Sequence, residues 1–285
     1  YSLSTMASTT LEEVATCTTS PKMFQIYIFK DRELTREFVQ RCLDSKYHAL
    51  CLTVDTAIPG NRERDAYYGM TLPPKISHRN FFSYATSFAW LSQMLSNRDF
   101  RLANVEHRVD ALQGGAISLI QYVHQQFDPA ITWDDVAWLV EQWDGPFIIK
   151  GLQSVRDVKR ARDMGVSGVM VSNHGGRQLE GTPAPVDCIP ELRDAIGDAM
   201  ELIVDGGIRR GTHVLKSIAL GANACSIGRP YLYGLASGGQ HGVERAINIL
   251  KSEIERSLAL LGCNAISDLR PDHIWHLQTM LAEIK

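Results

Sequence analysis

The chain has 285 residues, 45% hydrophobic and 21% charged, with 29 Lys+Arg against 32 Asp+Glu and a formal net charge of -3. That composition is globular and gives room for one large barrel or two modest domains. The slight negative charge and the lack of a Lys/Arg-rich run argue against a nucleic-acid partner. No apolar stretch approaches the roughly 18 residues that span a bilayer, and the Ser/Thr-rich first twenty residues are not a secretory signal.

The first apolar run is "YSLST" (1–5), a short strand candidate. "MFQIYIF" (23–29) and "ALCLTVD" (49–55) follow, β-rich and too short for helices. The stretch from Thr56 to about Ile131 is far longer than a normal strand-to-helix connection, so an inserted segment is expected at about 72–130. "TWDDVAWLVEQW" (132–143) opens with Thr132 and Asp135 in capping-box spacing. The strand "PFIIKG" (146–151) is followed by "SVRDVKRARDMG" (154–165), which has Ser154 and Asp157 at its start and Gly165 as its stop. "GVMVSNHGG" (168–176), "ELIVDGG" (201–207) and "ACSIGRP" (224–230) are three more strands, with the helix "GTHVLKSIALG" (211–221) before the last. Near the C-terminus Val243, Ile247, Leu250, Ile254, Leu258 and Leu261 fall on one helical face that closes at Gly262.

Strands and helices in alternation, with continuous apolar strands, describe a parallel sheet covered by helices. A doubly wound sheet would favour a G-x-G-x-x-G first turn, which the chain lacks. Strand ends that carry polar residues fit an α/β fold of the (β/α)8 TIM-barrel type, whose active site gathers at those ends. The expected organisation is a single domain over 1–285, starting inside the barrel.

Candidate chemistry sits at the strand ends. His174 and Arg177 follow one strand closely, a general base and a carboxylate-binding fork for a substrate with a proton to lose. A loop histidine and a surface arginine are the plainer alternative. Asp55 ends its strand where a carboxylate orients an imidazole or caps a helix. Lys150 ends "FIIK", where an ammonium needs a partner or the barrel mouth, and from there it stabilises a developing anion. "DGGIRRG" (205–211) and "IGRP" (227–230) occupy the last two strand ends, a common phosphate corner in such barrels, with Arg209 and Arg229 adding charge. The six cysteines (17, 42, 51, 188, 225 and 263) never form C-x-x-C and read as reduced, mostly buried small hydrophobes of a cytosolic chain. His273 and His276 have no further ligand nearby, so no metal is expected.

Taken together, "SLSTMAST", "FQIY", "LTVDT", "NRERD", "IIKG", "SNHGGRQL", "DGGIRRGTHVLKSIALGA" and "IGRPYLYGLA" resemble the FMN-dependent α-hydroxy-acid dehydrogenase/oxidase family. "RDAYYGM" (64–70) and "QFDPAITWDDVAWLVEQWDGPFIIKG" (126–151) are most similar to bacterial respiratory L-lactate dehydrogenases. The resemblance implies FMN as cofactor and oxidation of a small L-2-hydroxy acid, L-lactate to pyruvate, with electrons passed to a quinone or cytochrome. It implies that His174 takes the substrate proton, Asp55 stabilises the imidazolium, Arg177 and Arg62 grip the carboxylate, and Tyr27 hydrogen-bonds the substrate. Lys150 then stands over the reduced flavin. Ser4, Gln25, Thr53 and Ser172 contact the cofactor, and Asp205, Gly207, Arg209, Gly228 and Arg229 hold its ribityl phosphate. Met6 stands where glycolate oxidases have Trp, which implies a different acyl pocket. Relative to the family, the first βα unit and N-terminal cap are missing, so an N-terminally truncated barrel is expected.

Phe81, Tyr84, Phe88, Leu91 and Leu95 lie at helical spacing in the inserted segment. They are expected either to touch membrane, quinone or an acceptor protein, or to pack on the barrel or a subunit contact. A homo-oligomer is expected in the cytoplasm, with peripheral contact on the cytoplasmic face of the inner membrane. The rival readings are an oxidase that uses O2 and makes hydrogen peroxide, a non-redox phosphate-binding barrel, and an inactive fragment.

Overall fold

The computed structural model describes residues 1–69, 77–78, 80–88, 92, 96, 102–108, 122–123 and 125–274. Among them seven strands follow one another in chain order, β1 to β7, and every pairing between them for which a register is defined is parallel. With helices between them, this open seven-stranded parallel sheet follows the alternation of a (β/α)8 barrel with one strand fewer, consistent with the truncated barrel expected from the sequence. The residues cluster into two compact units, Tyr1–Phe147 and Ile148–Lys285.

In the first unit β1 (Ser2–Ser4), β2 (Met23–Ile26) and β3 (Ala49–Thr53) pair in register, Ser4 opposite Gln25 and Gln25 opposite Cys51. Helix α1 (Leu11–Cys17) starts at a Thr10/Glu13 capping box, and α2 (Arg32–Asp44) at Asp31, whose carboxylate accepts from two backbone N–H groups. Helix α2 turns Leu34, Phe38, Val39 and Cys42 inward. The Phe38 ring meets Phe24 at 5.7 Å and Phe29 at 6.2 Å between centroids. All three rings are fully buried in the unit's core.

Short helices α3 (Glu63–Tyr67) and α4 (Phe81–Thr86) precede α5 (Trp133–Gln142), which has the expected capping box of Thr132 and Asp135. Much of the segment about 72–130, including Leu91, Leu95 and the Tyr84 side chain, lies outside the described residues. One described piece is firmly anchored. Leu102, Ala103 and Val105 are buried, Ala103 donates to the Ala7 carbonyl, and the Asn104 side chain accepts from Leu11 N–H at 2.9 Å.

The second unit begins within β4 (Phe147–Lys150) and continues through β5 (Gly168–Ser172), β6 (Glu201–Asp205) and β7 (Ala224–Ser226). All five residues of β5 are buried, as a parallel strand covered on both faces requires. Helix α6 (Val155–Asp163) starts at the Ser154 cap, and α7 (Pro185–Ile196) carries Pro at its first position. Helix α8 (Gly211–Ala219) packs on α9 (Arg229–Leu261). A Cβ on Gly211 would fall 2.6 Å from the Ile254 nitrogen and 2.7 Å from the Leu250 carbonyl, so only glycine lets the two backbones meet. Glu253 of α9 receives the Gly211 N–H at 2.7 Å and pairs with Arg210 at 2.8 Å, closing the start of α8 from outside.

The backbone of α9 is non-helical at Gly238 and Gly239, and the helix ends at Gly262 in the left-handed region, φ 73°. Of the six residues expected on its apolar face, Leu250 and Leu258 are buried and Ile254 packs against the cluster of Leu215, Leu258 and Cys263. Ile247 and Leu261 are exposed. Periodicity located the helix; it did not report how little of that face the described residues cover.

Candidate active site

Three polar residues close adjacent strands of the second unit: Lys150 ends β4, Ser172 ends β5 and Asp205 ends β6. A polar side chain is tolerated on such buried strands chiefly where it finds partners. Lys150 Nζ lies 3.1 Å from Ser172 Oγ and 3.3 Å from Asp205 Oδ2, and Ser172 Oγ donates to Asp205 Oδ2 at 2.7 Å. Ser172 also accepts the His174 backbone N–H at 2.9 Å, so one hydroxyl links the ammonium, the carboxylate and the start of the histidine loop.

That loop is strained. His174 has φ 55°, one of two non-glycine residues with positive φ among the described residues, and Gly175 and Gly176 follow at 69° and 72°. Histidine tolerates this region better than most side chains, and the glycines enter it freely. Asn173 stabilises the turn by accepting the Gly176 N–H at 3.1 Å. Arg177 is exposed just beyond it. Arg229, at the start of α9, donates to the Gly175 carbonyl at 2.9 Å.

The first unit has a polar ladder of its own at its strand ends. Ser4 Oγ donates to Gln25 Oε1 at 3.1 Å, and Gln25 Nε2 to Thr53 Oγ1 at 2.9 Å. Met6 is half-buried, and its N–H donates to Ser4 Oγ. Beyond β2, Tyr27 packs edge-on against Phe127 at 4.8 Å. Burial, and then the charge of Asp55, push the Tyr27 hydroxyl up to about 12, with Gln25 and Arg62 acting in the opposite sense. Tyr27, Asp55 and Arg62 therefore share one electrostatic neighbourhood. Arg62 is exposed at the start of α3.

A folded-state value above the ordinary 10 means that the neutral phenol stabilises the fold. That contribution is complete below pH 10 and is lost as pH rises towards 12. Urea melts across that window should show wild type losing stability more steeply than Tyr27→Phe; parallel curves would remove Tyr27 as the source.

Two residues outside the expected set shape the site. Phe127 supports Tyr27, and Asn173 shapes the histidine turn. "SNHGG" carries a local Asx-turn signal for Asn173, whereas Phe127 reaches Tyr27 across 100 residues and has no local signal. His273 Nε2 lies 4.0 Å from Cys263 Sγ, and His276 is outside the described residues. Among the described residues no three His, Cys, Asp or Glu side chains are grouped to hold a metal.

The sequence profile of the family described as FMN-dependent dehydrogenase matches residues 1–276. An L-lactate oxidase of Nostoc sp. is 42% identical over 271 residues, 94% of this chain and 68% of the relative. A putative L-lactate dehydrogenase of Mycobacterium tuberculosis is 35% identical over 281 residues, 98% of this chain and 66% of the relative. Among solved structures, the monotopic membrane protein (S)-mandelate dehydrogenase superposes with a TM-score of 0.89 at 32% identity, covering 96% of this chain and 72% of its own. The chain thus spans about two thirds of the length of the curated relatives it matches.

The residues present fit FMN. A Cβ at Gly228, which caps α9, would meet nothing within 4 Å, which leaves open space for an anion beside exposed Arg229. Gly207, between β6 and α8, is equally open, with Arg209 exposed two residues on. In the second unit Lys150 offers a held cation; in the first, taken by itself, Ser4, Gln25 and Thr53 form a hydroxyl–amide–hydroxyl ladder. Oxidase and dehydrogenase names both occur among the relatives, so the shared motifs mark the family and not its electron acceptor. The chain belongs to the FMN-dependent dehydrogenase family, whose cofactor is FMN.

Proposed function

We propose that the chain carries the FMN-dependent oxidation of a small L-2-hydroxy acid, L-lactate to pyruvate, with electrons passing to a quinone or cytochrome. The observation that carries this reading is the hydroxyl of Ser172, which joins the Lys150 ammonium to the loop of His174. A base and an anion stabiliser on neighbouring strand ends suit proton abstraction next to a carboxylate. Residues 1–285 form a single FMN-dependent domain in this proposal.

When bound, FMN supplies the two-electron acceptor. His174 takes the substrate's proton, and Asp55 favours the resulting imidazolium. Arg177 and Arg62 hold the carboxylate, and Tyr27, protonated throughout the neutral range, donates a hydrogen bond to the substrate. Met6 borders the acyl group. Lys150 opposes the negative charge that accumulates during reduction, while Ser4, Gln25, Thr53 and Ser172 orient the cofactor. Asp205, Gly207, Arg209, Gly228 and Arg229 hold its ribityl phosphate.

The test is FMN-dependent formation of pyruvate from L-lactate with a dye acceptor; no product with any short L-2-hydroxy acid would end the proposal. The 42% identity to an L-lactate oxidase favours a second reading, in which O2 is the acceptor. Hydrogen peroxide formed in proportion to pyruvate would select it. Arg177→Lys should raise the half-saturating substrate concentration about tenfold or more, since lysine lacks the planar fork, with little change in the limiting rate. Equal losses in both parameters would assign Arg177 to the transition state instead.

Peripheral membrane contact is part of the proposal, prompted by the monotopic neighbour and by exposed Phe81, Phe82 and Phe88. No helix among the described residues is long and apolar enough to cross a membrane. Sedimentation with anionic liposomes should fall for Phe88→Asp; identical sedimentation would leave this surface for a subunit contact in a homo-oligomer.

A further inference from the structure

We propose that Arg229 is a positioning residue for His174: its guanidinium holds the Gly175 carbonyl and thereby ties occupancy of the phosphate corner to the placement of the base. This rests on the reading that His174 is the base and that Arg229 faces the phosphate.

The loop leaves β5 through three consecutive left-handed residues, His174, Gly175 and Gly176. Such a run persists only where the surroundings fix it. Two restraints are local: Ser172 Oγ accepts the His174 N–H at 2.9 Å, and Asn173 accepts the Gly176 N–H through its carbonyl at 3.0 Å and its side chain at 3.1 Å. The third comes from another element, 54 residues away. Arg229 Nη2 donates to the Gly175 carbonyl at 2.9 Å, one residue past the base. The approach is close enough that a Cβ on Gly175 would sit 2.9 Å from Nη2, so a larger residue would displace the guanidinium, and φ 69° itself favours glycine.

A guanidinium has five N–H donors in a rigid fork. One is committed to Gly175, and Arg229 stands directly after Gly228, where the backbone is open to an anion. The same planar group can therefore face the loop with one edge and the phosphate with another. An anion that pins the fork pins the Gly175 carbonyl, and by linkage an ordered loop favours the anion. Lysine keeps the charge and loses the second edge.

The test uses Arg229→Lys and Arg229→Ala in the full chain, with three readouts. FMN affinity should change less than about tenfold for the lysine variant, which retains a cation for the phosphate, and fall further for alanine. At saturating FMN and substrate, flavin reduction by Arg229→Lys should still be about 10- to 100-fold slow, the scale of a misplaced catalytic group, with little change in half-saturating substrate. In the FMN-free chain, hydrogen exchange at the Gly176 amide should be faster in both variants. The Gly151 amide, bonded to the Met170 carbonyl in the sheet, should be unchanged and so report an intact fold. FMN should slow exchange at Gly176 in wild type and not in Arg229→Lys.

Gly175→Ala approaches the contact from the other side and should reproduce the exchange effect with the arginine intact. The double variant should then be no worse than the poorer single one. A wild-type rate for FMN-saturated Arg229→Lys, or unaltered exchange at Gly176 in either Arg229 variant, would overturn the proposal. If wild type itself is reduced by no 2-hydroxy acid, the proposed function fails, and the exchange measurements still decide whether Arg229 orders the loop.

Discussion

His174→Ala should slow flavin reduction by a 2-hydroxy acid about 10²- to 10⁴-fold while FMN stays bound, the usual contribution of a positioned general base. The loop chemistry explains why binding should survive. The His174 backbone, not its ring, donates to Ser172, and Lys150 and Asp205 keep their contacts without the imidazole. His174→Asn is the sharper variant, because asparagine tolerates a φ of 55° and supplies no base. Fluorescence titration gives the FMN affinity, and anaerobic stopped-flow absorbance gives the reduction rate. A wild-type rate in either variant would remove His174 from the reaction, and loss of FMN would make it a structural support.

The second large effect is on stability. Side chains of Lys150 and Asp205 are only 15% and 17% exposed, and their charges meet at 3.3 Å with Ser172 bridging them. Removing one member leaves a largely buried charge without its main counter-ion. Asp205→Ala should therefore lower the unfolding free energy by about 3 kcal/mol, the low end for buried pairs because some solvent reaches this one. Joint replacement, Lys150→Met with Asp205→Leu, should recover most of that loss, since two apolar groups need no partner. Urea unfolding of the FMN-free chain measures both. A loss below about 0.5 kcal/mol for the single variant would place the pair with surface ion pairs, which contribute little.

Much of this architecture was legible because the signals are local. A strand buried on both faces must be an unbroken apolar run, as in β5, so six of the seven strands stand out in the sequence, while "YSLST" with its serines and threonine reads only as a short candidate. Such a strand bears a polar group most easily at its end, so Lys150 could be placed at a strand end before any geometry was known, whereas the third strand ends at Thr53 and leaves Asp55, expected at its end, in the turn that follows. The Thr132 and Ser154 caps are written in the same way, within four residues.

Less was legible where chain distance carries the contact. Helix α1 buries only Leu11, too little for a periodic signal, whereas α2 has a clear apolar face of Leu34, Phe38, Val39 and Cys42. Gly211 reads as the end of a phosphate motif, yet the structure uses it for close packing of α8 on α9. The Arg229 contact with Gly175 and the Phe127 contact with Tyr27 join residues 54 and 100 positions apart, and no spacing rule reaches that far. The motifs named a family but could not separate oxidase from dehydrogenase, because the acceptor meets surfaces that the shared strand ends do not form.

The most direct measurement is anaerobic mixing of the FMN-loaded chain with L-lactate, followed through the visible flavin band, with D-lactate as control. The account predicts that FMN binds, that the band bleaches with the L-acid alone, and that one pyruvate forms per flavin reduced. A chain that binds no FMN, or that holds FMN which no short L-2-hydroxy acid bleaches, would contradict it.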